Sequence, residues 1–207
     1  MAEQQSQPLA TRIAQLELQD EERVVREGYE LLDEKRIRLV AEIRAQLARL
    51  HRWQAQVRAA RDGAGAGLSA ALHRHGLEEL AVYPALLADG DELQLARGRL
   101  FGLELIEAQW QAGTTRTLRQ PVIASPEARR CARDHRAWLE PLLMMAVCER
   151  NLRRLLREYV RTERRARAIE NILLPEIQSN LKIIDEQLEM LNQEEIARVR
   201  QHRPSGA

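Results

Sequence analysis

The residues of this chain that could do chemistry are few and lie far apart. Cys131 and His135 stand four positions apart, one helical turn, which is a spacing found in metal sites. Two ligands are too few to hold zinc, so His73 or His75 would have to complete the set. The pattern therefore favours ordinary helix residues, and we expect neither a metal nor a cofactor.

The segment DGAGAG after Arg61 has the glycine content of a phosphate-binding loop without its context. No strand precedes it and no Gly-Lys-Ser/Thr follows, so we interpret it as a linker. Paired carboxylates such as Glu21 with Glu22, or Glu194 with Glu195, have no apolar pocket that would raise a pKa. We therefore expect no catalytic residue, and interpret the chain as a binding protein rather than an enzyme.

The composition predicts long helices around a narrow core. Aromatic residues are 3% of the chain and charged residues 30%, as is typical of coiled coils. A formal net charge of +1 argues against a nucleic-acid binder. The sequence begins without a signal-peptide pattern and contains no apolar run long enough to span a bilayer. We therefore expect a cytoplasmic protein without direct membrane insertion.

Two long helical arms frame the chain. From Leu9 to Val57 the apolar or small residues recur at spacings that are sums of three and four, which predicts an amphipathic helix. A second arm is predicted to begin at Ser125, an N-cap residue followed by a proline and a carboxylate. Pro141 leaves open whether one unbroken helix covers the segment from Pro126 to Arg200.

The middle of the chain follows a different pattern. Residues 68–88 predict one or two short helices. The segments RLFGLELIE (99–107) and RTLRQPVIA (116–124), separated by a polar stretch with Gly113, predict the two strands of a hairpin. The expected organisation is an arm at 9–61, a middle region at 62–124, an arm at 125–200, and flexible tails at 1–8 and 201–207. The fold class is mainly α, a long antiparallel two-helix coiled coil with short helices and a β-hairpin between its arms.

Charge is segregated along both arms. Glu17–Glu34 holds eight acidic and two basic residues, whereas Lys35–Arg61 holds eight basic and one acidic. The second arm reverses this order, with Arg129–Arg167 basic and Ala168–Arg200 acidic. Folded back antiparallel, like charge lies beside like charge, so the apolar seam must hold the arms together. We expect the basic half to dock a partner with an acidic face.

Two blocks carry a resemblance to a known family. The first is REGYELLDEKRIRLVAEI (26–43), with Gly28, Leu31, Leu32, Lys35, Arg36 and Leu39. The second is RRARAIENILLPEIQSNLKIIDEQLEMLNQEE (164–195), with Ile169, Glu170, Asn171 and Pro175. Together they resemble the D subunit of the V-type and archaeal-type rotary ATPases. The chain departs from the family pattern at Ile37, where an acidic residue is common, and at Ile196, where an aromatic one is expected.

The resemblance implies a left-handed coiled coil that serves as the central-stalk rotor of an ATPase or ATP synthase. Such a subunit is non-catalytic and transmits torque between the catalytic hexamer and the membrane rotor that translocates protons or other ions. The implied partners are the A/B-type catalytic hexamer, the small F subunit of the central stalk and the membrane-rotor adaptor of C/d type. The implied location is the cytoplasmic side of the inner (plasma) membrane. The direction of ATP chemistry and the choice of proton or sodium stay open.

The resemblance also assigns contact residues. The predicted seam and hexamer contact comprises Leu9, Ile13, Leu16, Gly28, Leu31, Leu39, Ile169, Pro175, Ile177, Ile184, Leu188, Leu191 and Ile196. The predicted hairpin and partner-docking residues are Arg99, Phe101, Leu103, Val122 and Ile123.

Pro175 inside the second arm suggests a kink that would make the shaft eccentric. Gly28 is predicted to lie opposite Ser179, which would allow close approach of the arms. The alternatives are a generic cytosolic scaffold, a stalk component of a related export motor, and, more remotely, an arginine-rich nucleic-acid binder.

Overall fold

The computed structural model describes residues 11–81, 90–113 and 125–201. Its elements are helix α1 (Arg12–Ala81), strands β1 (Glu92–Leu100) and β2 (Leu103–Gln111), helix α2 (Pro126–Ala168), a π segment (Ile169–Leu173) and helix α3 (Leu174–Gln201). The chain is mainly helical, with long helices on both sides of a small antiparallel hairpin, as the sequence predicted. Coiled-coil winding and its left hand stay predictions.

The chain divides into two compact units. The terminal unit contains residues up to Ile37 together with those from Val160 onward, and the central unit is Arg38–Tyr159. The predicted segments 9–61, 62–124 and 125–200 followed secondary structure rather than packing, and they stay predictions.

Helix α1 begins where a capping residue allows it and extends further than the sequence predicted. Thr11 accepts a hydrogen bond on Oγ1 from the Ala14 N–H at 3.1 Å, which satisfies one free donor of the first turn. The interpretation of DGAGAG as a linker is wrong, because α1 continues through it to Ala81. The regular helical backbone of α1 is interrupted at Gly76, whose φ of 72° and ψ of 174° are not helical.

The small residues of this stretch are packing positions. Ala64, Gly67 and Ala71 are buried. A Cβ on Gly67 would lie 3.0 Å from Asp134 Oδ2 and 3.4 Å from the Cα of Cys131, so α2 passes close to α1 here. Glycine costs up to about 1 kcal/mol of helix propensity, and the close contact between the two helices offsets that cost.

Helix α2 begins as predicted. Ser125 is buried, and its Oγ accepts a hydrogen bond from the Ala128 N–H at 3.0 Å, the geometry of an N-cap with Pro126 at the first helical position. Pro141 is buried inside α2 and does not end it.

The π segment explains how the second arm accommodates Pro175. Proline has no N–H to donate, and its ring clashes with the carbonyl four residues earlier in a regular α-helix. Immediately before it, the Leu174 N–H donates to the Ile169 carbonyl, five residues back instead of four. The wider turn places one extra residue in the helix just ahead of the proline. Such single π turns inside α-helices are frequent at functional sites.

Within the terminal unit, hydrogen bonds between side chains fix the antiparallel register. Gln15 donates to Asp185 at 2.6 Å, Gln178 to Glu22 at 3.0 Å, and Arg36 to Glu163 at 2.9 Å. The two residue numbers of each pair add up to 199 or 200.

This register corrects the expected pairing of Gly28 with Ser179, because it brings Gly28 level with Ile172 in the π segment. A Cβ on Gly28 would meet no atom within 4 Å, so the helices do not approach closely there.

The hairpin is shifted from its predicted place. β1 pairs with β2 from Glu92–Gln111 to Leu100–Leu103, joined by the two-residue loop Phe101-Gly102. Both loop residues have positive φ, 49° and 76°, as in a type I′ turn. The turn therefore lies inside the segment 99–107 that was predicted as one strand, and that prediction is wrong. The other predicted strand, 116–124, lies outside the described residues.

Two polar anchors attach the hairpin to α2. Asp91 has a nearly fully buried side chain and pairs with Arg136, which also donates to the Gly113 carbonyl at 2.7 Å. Asn151, 3% exposed, accepts from the Ile106 N–H at 2.9 Å and donates to the Ile106 carbonyl at 2.7 Å. Asn151 thus satisfies both backbone groups of a residue on the edge of β2 that faces away from β1.

Replacing Asn151 by alanine should release the hairpin. It would leave the Ile106 N–H and C=O without partners, so the unfolding free energy should fall by about 2 kcal/mol. Urea denaturation measures the loss, and hydrogen exchange should show faster exchange of the Ile106 amide.

The matched control is Asn192→Ala at an exposed asparagine, which should change stability by less than about 0.5 kcal/mol. Equal stability of both variants, with unchanged exchange at Ile106, would show that the anchor is dispensable.

Candidate interaction surfaces

The terminal unit exposes many large apolar side chains. Ile13 is 70% exposed and Leu31 68%. The exposed apolar residues of the unit include Ile13, Leu16, Val24, Leu31, Ile37, Ile172, Ile183, Met190, Leu191, Ile196 and Val199. Single exposed leucines are ordinary, but this density along one helical pair is typical of a surface that other chains cover.

The exposed stripe on α1 is distinct from the stripe that packs inside the unit. The half-buried apolar residues Leu18, Val25 and Leu32 repeat every seven positions. Val24 and Leu31 lie one position earlier, about 100° round the helix axis, and are exposed. The helix therefore carries two apolar stripes, of which one is available to a partner.

The residues predicted for the seam and hexamer contact differ in burial. Three are buried: Leu39 in the central unit, and Ile177 and Ile184 in the terminal unit. The half-buried members are Gly28, Ile169 and Leu188, and the exposed members are Ile13, Leu16, Leu31, Pro175, Leu191 and Ile196. Leu9 lies outside the described residues. Contact of these residues with a hexamer stays a prediction.

A charged cluster that the sequence analysis did not single out links the helices of the terminal unit. Arg36 donates to Glu163 at 2.9 Å and also pairs with Asp33, and Glu163 accepts a second bond from Arg167 at 2.9 Å. The hydrogen bond from Arg36 lowers the pKa of Glu163 below its ordinary 4.5, and the bond to Glu163 raises the pKa of Arg36. The sequence analysis named Arg36 only as part of the first block of resemblance, and a second signal was its position, where α1 changes from acidic to basic.

The hairpin tip is the second candidate surface. Phe101, 40% exposed, lies under the guanidinium of Arg38, whose Cζ is 5.3 Å from the ring centroid. Arg99 is exposed and Leu103 half-buried, so both predicted residues lie at this tip. The predicted Val122 and Ile123 lie outside the described residues.

The candidate metal pair lies in a packed region of α2. Cys131 Sγ is 3.6 Å from His135 Nδ1, and that nitrogen is 2.9 Å from the Cys131 carbonyl oxygen. Burial, and next the charge of Asp134, raise the pKa of the Cys131 thiol. Among residues 11–81, 90–113 and 125–201, no group of three His, Cys, Asp or Glu side chains could hold a metal ion.

None of the helices in the described ranges combines the length and apolar character that a membrane-spanning helix requires.

These observations define a class of protein: long antiparallel helices with a docked hairpin, whose candidate sites are contact surfaces for other chains. Comparison with known proteins gives the family. The family model for the ATP synthase D subunit matches residues 14–202. The chain therefore belongs to the ATP synthase D-subunit family, and the resemblance found in the sequence is confirmed.

Several curated relatives are similar over most of their length. The V-type ATP synthase D subunit of Thermotoga neapolitana is 24% identical over 190 residues, covering 92% of this chain and 94% of the relative. The A-type ATP synthase D subunit of Methanopyrus kandleri is 27% identical, covering 92% and 83%. The V-type ATP synthase D subunit of Anaeromyxobacter sp. (strain K) is 29% identical, covering 96% of both chains.

The Arg36 cluster predicts a pH-dependent contribution to stability. Because the pKa of Glu163 is lowered in the folded state, its contribution is fully present above the unfolded pKa and is lost as the pH falls through the folded pKa. Glu163→Gln should therefore lower the melting temperature at pH 7, and the difference from the parent should vanish in acid.

Glu189→Gln, at an exposed carboxylate of α3, is the matched control and should give parallel curves at every pH. Differential scanning calorimetry from neutral to acidic pH measures both variants. A Glu163→Gln deficit that persists in acid would assign the loss to packing rather than to the ion pair.

Proposed function

We propose that this chain is the central-stalk shaft of a V/A-type rotary ATPase or ATP synthase, transmitting torque between the catalytic hexamer and the membrane rotor. The observation that carries the proposal is membership of the D-subunit family over residues 14–202. The relatives are named as subunits of V-type and A-type ATP synthases. Nucleotide chemistry would occur on other chains, and this one would work through its shape and stiffness.

The exposed apolar stripe of the terminal unit supports insertion of that unit into the catalytic hexamer. Ile13, Leu16 and Leu31 are each more than 60% exposed in the isolated chain. If residues of the surrounding subunits covered these side chains, apolar surface would be buried, which favours association. The acidic side chains beside them would lie among basic or neutral loops of the ring.

The basic stretches 35–61 and 129–167 support docking of an acidic face by the other half of the arms. The membrane-rotor adaptor of C/d type is the partner proposed there. The small F subunit of the stalk would bind along the side of the helices, and the docked hairpin around Phe101 would adjust its contact or the activity of the motor.

The π segment would give the shaft a local irregularity at a fixed place. A shaft that turns inside a ring must present different surfaces to successive subunits. The residue inserted before Pro175 rotates the side chains that follow it in the helix about the helix axis. We propose that this irregularity makes the shaft eccentric.

Substitutions in the exposed stripe test insertion into the hexamer. Leu16→Glu with Leu31→Glu should weaken binding to the reconstituted A/B hexamer, since burial of one leucine contributes about 2 kcal/mol, or roughly thirtyfold in affinity. Both side chains are exposed, so the thermal stability of the isolated chain should hardly change.

Gln19→Glu, at an exposed position of the same helix, adds one negative charge, half the change of the double variant, without removing an apolar group and should bind almost normally. Surface-bound hexamer and interferometry give the affinities. Unchanged binding of the double variant would exclude this stripe from the hexamer contact.

Removing the π segment tests its role in torque transmission. Deletion of Asn171, an exposed residue in the segment, should turn it into α-helix and put Pro175 into a regular interior, costing about 3 kcal/mol. Adding Pro175→Ala should restore the stability and leave a continuous α-helix. In the assembled complex this stable double variant should hydrolyse ATP with fewer ions moved per ATP.

Simultaneous assays of ATP hydrolysis and ion uptake in vesicles give that ratio, with Pro175→Ala alone as the control that keeps the extra residue. Normal coupling in the stable double variant would mean that the π segment merely tolerates the proline.

A further inference from the structure

A cleft lies under the hairpin of the central unit, between α1 and α2. Its volume is about 460 Å³, and its walls come from α1, β1, β2 and α2, all within the same compact unit. Small-molecule sites have volumes of this order and combine apolar walls with a few polar groups.

Gln46, one of the residues that line the cleft, is a buried polar side chain with an unfilled acceptor. The residue is 4% exposed, and its Nε2 donates to Glu42 Oε1 at 3.0 Å. A carboxylate only accepts hydrogen bonds, so the amide must turn its NH₂ group to Glu42. Among the described residues, Gln46 Oε1 then has no donor within hydrogen-bond distance. A buried acceptor of this kind destabilises the fold unless something fills it.

A structural role for Gln46 does not explain this arrangement. Gln46 follows the fully buried Leu39 by seven residues, so it occupies the packed face of α1. Polar residues at such positions specify the register of paired helices by bonding across them. Gln46 instead bonds to Glu42 on its own helix.

The charges around Gln46 indicate what the cleft would accept. Glu42, which accepts the hydrogen bond from Gln46 Nε2, also lines the cleft, and its carboxylate favours a positively charged donor. Arg49 lies one turn further along α1, a rise of about 4.5 Å, and Arg99 lines the cleft from the hairpin. Within the described ranges neither arginine makes a hydrogen bond or an ion pair, so both are available to an anion. Trp53 and Met144 supply apolar wall.

We propose that this cleft binds an α-amino acid with an apolar side chain. The ammonium group donates to Gln46 Oε1 and Glu42, and the carboxylate pairs with Arg49 and Arg99. The apolar side chain lies against Trp53 and Met144. On α1, the acceptor Gln46 and the cation Arg49 are about one helical turn apart. This separation suits the short distance between the ammonium and the carboxylate of an amino acid.

Cys148 provides a readout inside the cleft of the unaltered chain. Its thiol is buried and lines the cleft, whereas the other buried thiol, Cys131, does not. Alkylation by iodoacetamide, followed at each thiol by mass spectrometry, should slow at Cys148 as L-leucine is added at millimolar concentrations. The rate at Cys131 should not change, and equal slowing at both thiols would overturn the proposal by indicating general stabilisation.

Analogues of leucine separate the two charged contacts. 3-Methylbutylamine lacks the carboxylate, and 2-hydroxy-4-methylpentanoate carries a hydroxyl in place of the ammonium. Each should protect Cys148 with roughly tenfold weaker affinity than leucine, because each loses one charged contact. Equal protection by either analogue would overturn the proposed zwitterion.

Gln46→Leu separates binding from folding. It removes the unfilled acceptor, so the free chain should melt at the same or a higher temperature, while protection of Cys148 by leucine should be lost. Gln56→Leu, at an exposed position on α1, is the matched control and should keep the protection. Absence of protection in the parent chain, or full protection in Gln46→Leu, would overturn the proposal.

Discussion

Antiparallel packing of one narrow face of α1 against the C-terminal helices is the constraint on which the other features depend. In the terminal unit, three hydrogen bonds between side chains fix the antiparallel register of the helices. Ile177 and Ile184 are buried in the same unit. In the central unit the same requirement places Ala64, Gly67 and Ala71 where α2 comes close. The charge segregation predicted from the sequence is locally offset, because Arg36 of α1 pairs with Glu163 of α2.

The hairpin depends on this helical scaffold for its stability. Two strands alone are marginal in water, and β2 supplies only half-buried side chains for packing. The anchors come from α2: Arg136 holds both ends of the hairpin through Asp91 and Gly113, and Asn151 completes the bonding of Ile106. These anchoring contacts are polar and specific, and they fix the place of the hairpin while leaving a cleft beneath it.

Much of the fold could be predicted from periodicity and capping, and the rest depended on tertiary contact. The long helices and the start of α2 at Ser125 followed from local signals. The helix through Gly67 could not be predicted, because glycine favours a linker until α2 is seen to approach it. The hairpin turn was missed because Phe101 at positive φ is unusual and its contact with Arg38 is distant in sequence. The π segment has no pattern of its own beyond the proline that follows it.

The same limit applies to the candidate surfaces, and it indicates which features serve function. Apolar residues at helical spacing could not be divided into an inner and an outer stripe, since Val24 and Val25, or Leu31 and Leu32, are equally apolar. Packing makes the division and leaves Ile13, Leu16 and Leu31 exposed. For the isolated chain the exposed stripe, the proline inside a helix at Pro175 and the unfilled acceptor of Gln46 are all unfavourable. Features that a sequence retains against its own stability are the ones to explain through what the chain binds.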